Sequence, residues 1–209
     1  MKENDEAEMG IGTMIIFIAM VIVAAVAATL LISTASWVQQ QAQETGRIAI
    51  QDVATGFKII HIQGDRHADG SSSGSNQSTI QIVEIKVALE AGSPSLNLSN
   101  VIIEVTDGDT EVTLSYNSSA SSPSDLQYTA NNKEYMAAEL RDPDGQFTNS
   151  NPIVTQGAVL WLKFDAADAG LNLDPQTKVT IHIIPKHGVP TYEWFETPAV
   201  YTSRYVQLV

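Results

Sequence analysis

The chain has 209 residues, a formal net charge of −13, only 17% charged residues and no cysteine. This acidic balance offers no cationic footprint, so we do not expect a nucleic acid as a partner. The lack of cysteine excludes disulfides, thiolate metal sites and cysteine nucleophiles. The length suits one ordinary domain with an appendage, or two small domains.

The first segment, from Met9 to Gln43, contains no Asp, Glu, Lys or Arg. Residues 14–32 are almost wholly apolar, and about 20 such residues cross a bilayer core of ~30 Å. The helical pattern then continues through a run rich in Gln and Ala and stops near Gly56. It predicts a helix from about Thr13 to Thr55, roughly 65 Å long at ~1.5 Å per residue. A membrane needs only about half of that length.

Small residues are dense in the middle of this segment. In apolar surroundings they let two helices approach closely, which favours packing against other helices. A secretory signal is disfavoured, because residues 1–7 are net negative and the apolar stretch is longer than a signal requires. A plain membrane anchor remains an alternative at this point. The small residues are Ala19, Ala24, Ala25, Ala27 and Ala28.

The rest of the chain alternates short β-like runs with turn-forming residues. Many short strands with regular turn signals predict an antiparallel sandwich or barrel. The predicted strands are residues 57–63, 79–89, 101–106, 111–116, 134–140, 158–164, 178–184, 192–195 and 205–208.

The N-terminal pattern is specific. Gly10-Ile11-Gly12-Thr13, followed by 16–21, 23–28, Leu31-Ile32 and Gln39-Gln40, resembles the start of archaeal flagellins, the archaellins. These proteins are the subunits of the archaellum filament and share an export route with type IV pilins. The resemblance continues less tightly into the β-rich part, as at IIPKHGVPT, residues 183–191.

The resemblance implies an α+β chain with a long N-terminal hydrophobic α-helix and an antiparallel Ig-like β-sandwich. Residues 1–7 would be a leader peptide, residues 8–56 the filament-core and transmembrane helix, and residues 57–209 the outer domain. A membrane-embedded leader peptidase would cut between Ala7 and Glu8. The chain departs from the family there, since archaellins usually carry a basic residue and Gly before the bond. The cut would raise the net charge from −13 to −11.

The function implied is that of a structural subunit in an extracellular surface filament used for motility. The precursor would sit in the inner membrane, and the partners would be further copies or sister archaellins. No cofactor, metal ion or small-molecule substrate is expected. The alternatives are an adhesive pilus subunit with the same export route and a membrane-anchored ligand-binding Ig-like domain. The residues expected to pack in the filament core are Ile15, Phe17, Ala24, Ala25, Ala28 and Leu31.

Three sequons fall in predicted loops or strand ends, at Asn76, Asn97 and Asn117. Archaellins are often N-glycosylated, so the resemblance favours modification at these positions.

The sequence shows little catalytic chemistry. Two acidic turns, Asp107–Glu111 and Asp142–Gly145, could offer oxygens to Ca²⁺, but an Asx-rich turn is the favoured interpretation. The four histidines lack a metal-ligand spacing, and the chain has no phosphate loop or nucleophile elbow. We therefore predict that the protein is not an enzyme and has no catalytic residues.

Overall fold

A computed structural model describes residues 2–67, 77–120 and 133–209 of the chain. Its described residues form one long helix, α1 (Lys2–Ala54), followed by twelve β-strands. The chain divides into two compact units, Met1–Ala49 and Ile50–Val209. The last helical turn therefore belongs to the same compact unit as the strands.

Helix α1 is 53 residues long, or about 80 Å at ~1.5 Å per residue. The predicted start at Thr13 is wrong, because the helix begins at Lys2. The residues before Gly10 are mostly good helix formers. Gly10 and Gly12 cost only about 1 kcal/mol each relative to alanine, which is too little to end the helix. At the other end α1 stops at Ala54, one residue before the predicted end.

All nine predicted strands are present, with shifts of a few residues at their ends. The sequence missed three short strands, β3, β7 and β8, because two to four residues are too few for an alternating pattern to stand out. The strands are β1 (Phe57–Asp65), β2 (Ile82–Leu89), β3 (Leu96–Asn97), β4 (Ile102–Thr106), β5 (Glu111–Tyr116), β6 (Glu134–Arg141), β7 (Phe147–Thr148), β8 (Asn151–Val154), β9 (Val159–Asp165), β10 (Lys178–Ile184), β11 (Thr191–Glu196) and β12 (Tyr205–Gln207).

Nine strands form one hydrogen-bonded sheet in the order β11-β10-β4-β5-β6-β9-β2-β1-β12. Its pairs are antiparallel except for a two-residue parallel join, where Ser115 pairs with Glu134 and Tyr116 with Tyr135. This join divides the sheet into a four-strand half (β11, β10, β4, β5) and a five-strand half (β6, β9, β2, β1, β12). The α+β class, with one long helix and a mostly antiparallel β-domain, is confirmed.

The two halves share one hydrophobic core. Ile103 and Ile181 of the four-strand half and Ile85 and Leu162 of the five-strand half are fully buried in the same cluster. Alternate residues of each strand point into this core. The inner faces of the halves are therefore packed together, and their outer faces lie on opposite sides of the core, as in a sandwich.

A second sheet, in the order β3-β8-β7, adds Leu96, Val154 and Phe147 to the core. A 3₁₀ turn (Leu98–Asn100) follows β3. The fully buried Tyr135 hydroxyl donates to the carbonyl oxygens of Leu98 and Val101, both at 3.0 Å. Burial raises the pKa of Tyr135, so its phenol keeps the proton that these bonds require.

Candidate assembly surface on the N-terminal helix

In the part of the chain that the structure describes, α1 is exposed along most of its length. Every residue from 9 to 50 is exposed, including the large apolar side chains of Phe17 (68%) and Leu31 (70%). Monomeric soluble proteins seldom expose contiguous apolar patches above a few hundred Å². A surface of this kind needs a lipid or protein partner.

The structure brings four of the six predicted packing residues onto one side of the helix. At ~100° per residue, Phe17, Ala24, Ala28 and Leu31 project within an arc of about 60°. Ile15 lies opposite Ala24, and Ala25 lies to the side of the arc. All six residues are exposed. Because apolar residues surround the helix, several neighbouring helices could pack on it at once.

Two shallow depressions run along the helix surface. The first lies where Ala19, Ala24 and Ala27 leave space between Ile16, Met20 and Val23. The packing residues expected from the sequence do not include Ala19 and Ala27, although their small size is visible in the sequence. The second depression is lined by Trp37, Val38, Gln41, Ala42, Thr45, Gly46 and Ala49.

The sequence analysis did not single out the residues of the second depression. The signal was the small residues Ala42, Gly46 and Ala49, spaced three and four apart and hence on one helix face. A Cβ at Gly46 would meet nothing within 4 Å. The glycine therefore leaves an open hollow in the helix surface.

The threonine hydroxyl groups of α1 are bonded inside the helix. Thr29 donates to the Ala25 carbonyl at 2.8 Å, Thr34 to Leu30 at 2.9 Å and Thr45 to Gln41 at 2.8 Å. An unbonded hydroxyl would cost several kcal/mol in hydrocarbon. These bonds make the helix compatible with a membrane. Residues 9–54 are long and apolar enough to cross a membrane.

The predicted cleavage position lies inside the helix. The backbone at Ala7 and Glu8 is helical, since α1 begins at Lys2.

The described sequon asparagines are both engaged locally. Asn97 Oδ1 accepts a hydrogen bond from the Ser99 amide at 2.8 Å and caps the 3₁₀ turn. Asn117 Oδ1 accepts from the Ser119 amide at 2.8 Å, and its Nδ2 donates to Glu134 at 2.6 Å. Asn76 lies outside the described residues.

Both acidic turns use their carboxylates to bind backbone amides. Asp107 accepts from the amides of Asp109, Thr110 and Asn172. Burial raises the pKa of Asp107, but these amides outweigh it and hold the pKa below its usual value. The Phe147 amide, at 2.8 Å, is the main cause that lowers the pKa of Asp142. Across the described part of the chain, no three acidic or histidine side chains are grouped as a metal site.

The helix end is anchored to the β-domain within the second compact unit. The Val189 amide donates to the Thr55 carbonyl at 3.1 Å, and the Glu90 amide donates to Gly56 at 2.9 Å. His187 Nδ1 lies 3.1 Å from Asp52 Oδ1 on the last turn. These contacts hold the last turn of α1 against the β-domain.

A long exposed apolar helix followed by a β-sandwich is the architecture of a structural filament subunit. The family model of archaeal-type flagellins matches residues 7–195. The chain belongs to this family and is a structural subunit of an archaellum filament, an appendage on the cell surface. Neither the adhesive pilus nor the ligand-binding alternative is favoured, and the family is not an enzyme class.

Known proteins similar to the chain fit this assignment. Flagellin B2 of Methanocaldococcus jannaschii is 36% identical over 205 residues, which cover 93% of this chain and 90% of that protein. The crystal structure of archaeal flagellin FlaB1 from the same organism has a TM-score of 0.60 at 22% identity, covering 74% of this chain and 97% of its own. The archaeal flagellum of Methanospirillum hungatei gives 0.63 at 17% identity, covering 96% and 98%. At these identities the two structures support the fold.

Proposed function

We propose that α1 serves in two media, first as the membrane anchor of the precursor and then as the core of the polymer. The observation that carries this is the exposure of every residue from 9 to 50, with no charged side chain between Met9 and Gln43. In the filament each helix replaces lipid neighbours with the helices of other copies. The β-domains form the outer layer.

The energetics favour direct transfer from membrane to filament. Burying one large apolar side chain contributes about 1.5–3 kcal/mol relative to water. Some twenty such side chains make a dispersed monomer in water very unfavourable. A carboxylate placed in the helix would be costly in both media, because each lacks the water that solvates the charge.

We propose that the leader peptidase removes residues 1–7 from the inner-membrane precursor. The cut between Ala7 and Glu8 would leave the chain starting two residues before Gly10-Ile11-Gly12. Mass spectrometry of the N-terminal peptide from sheared filaments tests this. A peptide starting at Glu8 is expected, and a peptide that begins at any other residue would contradict the assigned bond.

Glycosylation is proposed at the sequon asparagines, with Asn97 favoured among the two described. A glycan is attached at Nδ2, and Nδ2 of Asn117 already donates to Glu134 at 2.6 Å. Modification at Asn117 must break that bond. Glycopeptide mass spectrometry should therefore find higher occupancy at Asn97 than at Asn117. Equal or reversed occupancy would contradict the preference.

The core-packing proposal is tested by the double variant Ala24→Asp/Val26→Asp. Two carboxylates on the helix should abolish filaments, while the thermal unfolding of the β-domain in detergent stays unchanged. The matched control is Ala24→Ser/Val26→Thr, whose hydroxyls can bond to carbonyls one turn back, as Thr29 does. The control should assemble. Filaments of normal length from the aspartate variant, seen by electron microscopy of sheared material, would overturn the proposal.

A further inference from the structure

A pocket of about 140 Å³ lies where the last turn of α1 meets the β-domain. One wall is formed by Gln51 and Thr55, a second by residues 94–97 and 100, and a third by Lys186 and His187. All of these residues belong to the compact unit that begins at Ile50. The pocket therefore joins the helix end to two segments that are distant from it in sequence, one around β3 and one after β10.

The polar side chains that line the pocket are left without protein partners. Thr55 is only 4% exposed, yet its hydroxyl makes no hydrogen bond within the described part of the chain. The side-chain amides of Gln51 and Asn100 are unbonded across the same residues, and Lys186 forms no ion pair there. Burying a polar group without a hydrogen bond is unfavourable. These groups therefore match a ligand that carries several hydroxyls.

The sequon asparagine Asn97 is part of the second wall. Its Oδ1 accepts from the Ser99 amide at 2.8 Å, whereas its Nδ2 makes no hydrogen bond to any residue that the structure describes. The buried side-chain atoms without a partner in those ranges belong to Thr155 and Asp168, so Asn97 Nδ2 is accessible. Nδ2 is the atom that carries a glycan, and the bond of Oδ1 persists when Nδ2 reacts. The attachment point of a glycan is therefore in the wall of the pocket.

The walls are held in place by bonds that leave the lining groups free. The Gln156 side chain donates to the Ser93 carbonyl at 2.9 Å, just before the second wall. His187 Nδ1 lies 3.1 Å from Asp52 Oδ1, which joins the third wall to the helix. A pocket that is already ordered costs a ligand less on binding.

We propose that the first sugar of a glycan on Asn97 binds in this pocket and bridges the last turn of α1 to the β-domain. Lys186 Nζ and the amide nitrogens of Gln51 and Asn100 donate to the hydroxyl oxygens of the sugar, and the Thr55 hydroxyl bonds to the same ring. The inference rests on the proposed glycosylation of Asn97 and adds where the sugar lies and what it holds together.

The size of the pocket fits one sugar. Its volume of about 140 Å³ is the space of about five water molecules, which suits a single ring with its hydroxyls. Pro94 and Leu96 add apolar surface for the C–H face of that ring. Ser95 and Asn100 are exposed, so the pocket opens to solvent and the rest of the glycan extends outward.

Attachment is a group transfer from an activated sugar whose anomeric carbon carries a phosphate leaving group. Asn97 Nδ2 forms the bond to the anomeric carbon. The bond between that carbon and the phosphate oxygen breaks, and the phosphate leaves with the electron pair. Nδ2 gives one of its two protons to a base of the transferase and keeps the other. Nothing is oxidised or reduced, and the pocket residues bind the product of this step.

The experiment compares full-length chains purified in detergent from an archaeal host that glycosylates its surface proteins. Ser99→Ala destroys the sequon but keeps the backbone amide that Asn97 binds, and Ser99→Thr keeps the sequon as the matched control. The readout is hydrogen–deuterium exchange at Thr55, whose amide donates to the Gln51 carbonyl at 2.9 Å. Exchange should be about fivefold faster in Ser99→Ala, the effect of one hydrogen bond of ordinary net strength, and unchanged in Ser99→Thr.

The variant Asn100→Ala/Lys186→Ala removes two donors from the pocket and leaves the sequon intact. Neither side chain is bonded within the described ranges, so the fold should be unaffected. Exchange at Thr55 should again be faster, while mass spectrometry finds the glycan at Asn97 as in the native chain. Combined with Ser99→Ala, the variant should have no further effect, because the sugar is already absent. Lys178→Ala, at the far end of β10, is the control and should change nothing.

Glycopeptide mass spectrometry separates this inference from the proposed glycosylation. A native chain without a glycan at Asn97 would overturn both. A glycan at Asn97 together with native exchange in Ser99→Ala would overturn the pocket alone, as would equal effects of Asn100→Ala/Lys186→Ala with and without the sequon. If Ser99→Ala fails to fold, Asn97→Asp supplies the chain without a glycan, since its carboxylate can still accept from the Ser99 amide.

Discussion

Gly188 packs directly against the backbone carbonyl of Thr55, where the helix end meets the β-domain. A Cβ at position 188 would overlap this carbonyl, and the glycine adopts a φ of 109°. The next residue, Val189, donates its amide to the same oxygen at 3.1 Å. Gly188 thus combines a positive φ with a close approach to the Thr55 carbonyl, and both features help to hold the last helical turn.

Gly188→Ala should lower the free energy of unfolding of the β-domain by about 1–3 kcal/mol, because the backbone is strained and must also move away from Thr55. For a unit of this size this corresponds to about 2–4 °C in Tm for each kcal/mol. Circular dichroism melting in detergent measures it. Gly92→Ala is the matched control: Gly92 has a φ of 91°, but nothing lies within 4 Å of its added Cβ. Equal losses in the two variants would show that the contact with Thr55 contributes nothing.

Asp165 should make stability fall as the pH rises between about 4 and 6. Burial, with a smaller contribution from the nearby charge of Asp168, raises the pKa of Asp165 to about 6, although the amides of Asp168 and Ala167 lower it. The folded state then holds a proton that the unfolded state, with a pKa near 3.8, has lost. The contribution of Asp165 to stability is complete below the pKa of the unfolded state. It is lost as the pH rises through the pKa of the folded state, and the free energy of unfolding then falls by at most about 3 kcal/mol.

Asp165→Asn should remove this slope and raise Tm at pH 7.5, with little change at pH 4. The side-chain oxygen of the asparagine can still accept a hydrogen bond from the backbone amide of Asp168, which donates to Asp165 Oδ1 at 2.9 Å in the native chain. Melting curves at pH 4 to 7.5 measure the effect, with Asp144→Asn as an exposed-carboxylate control. An unchanged slope in Asp165→Asn would mean that another group causes it.

Arg204 and Asp65 should tie the C-terminal strand to the sheet. Arg204 Nε donates to Oδ1 of the buried Asp65 at 2.9 Å, and Arg204 Nη2 donates to Oδ2 at 2.6 Å. β12 pairs with β1 through only three residues. Arg204→Met should cost about 3–5 kcal/mol, because it leaves a buried carboxylate without its cation.

The double variant Asp65→Asn/Arg204→Met tests whether the loss comes from the unpaired charge. It should be less destabilised than Arg204→Met alone, since no buried charge remains. Chemical denaturation of the three proteins measures the coupling. If the double variant lost as much stability as the two single substitutions added together, the pair would act only through packing.

Tyr135→Phe should destabilise the core by about 1–3 kcal/mol, since the carbonyls of Leu98 and Val101 lose their shared donor inside the protein. Tyr116→Phe is the control, because the Tyr116 hydroxyl is only partly buried and donates to Asn149 at 3.1 Å. Denaturant unfolding compares the two. A smaller loss in Tyr135→Phe than in Tyr116→Phe would contradict the role assigned to the buried bonds.

Local pattern was enough to predict most elements. The uncharged run to Gln43 signals one long helix, and period-two alternation marks strands such as β5 and β10 with the bounds found in the structure. Where the pattern was short it failed, as for β3 and β7 with two residues each. The helix predicted from Thr13 in fact begins at Lys2, since Gly10 and Gly12 cost too little to end it.

The sequence by itself determined the class of the protein, because the apolar, uncharged run from Met9 to Gln43 and the alternating strands are properties of neighbouring residues. Only the tertiary structure decided which side chains meet beside Asn97. Asn97 lies on β3, Lys186 follows β10 and Gln51 lies on α1, so their grouping depends on strand order and register and on the anchored helix end. The reason is physical: pairing between strands distant in sequence is selected by the packing of one shared core, which no local pattern encodes.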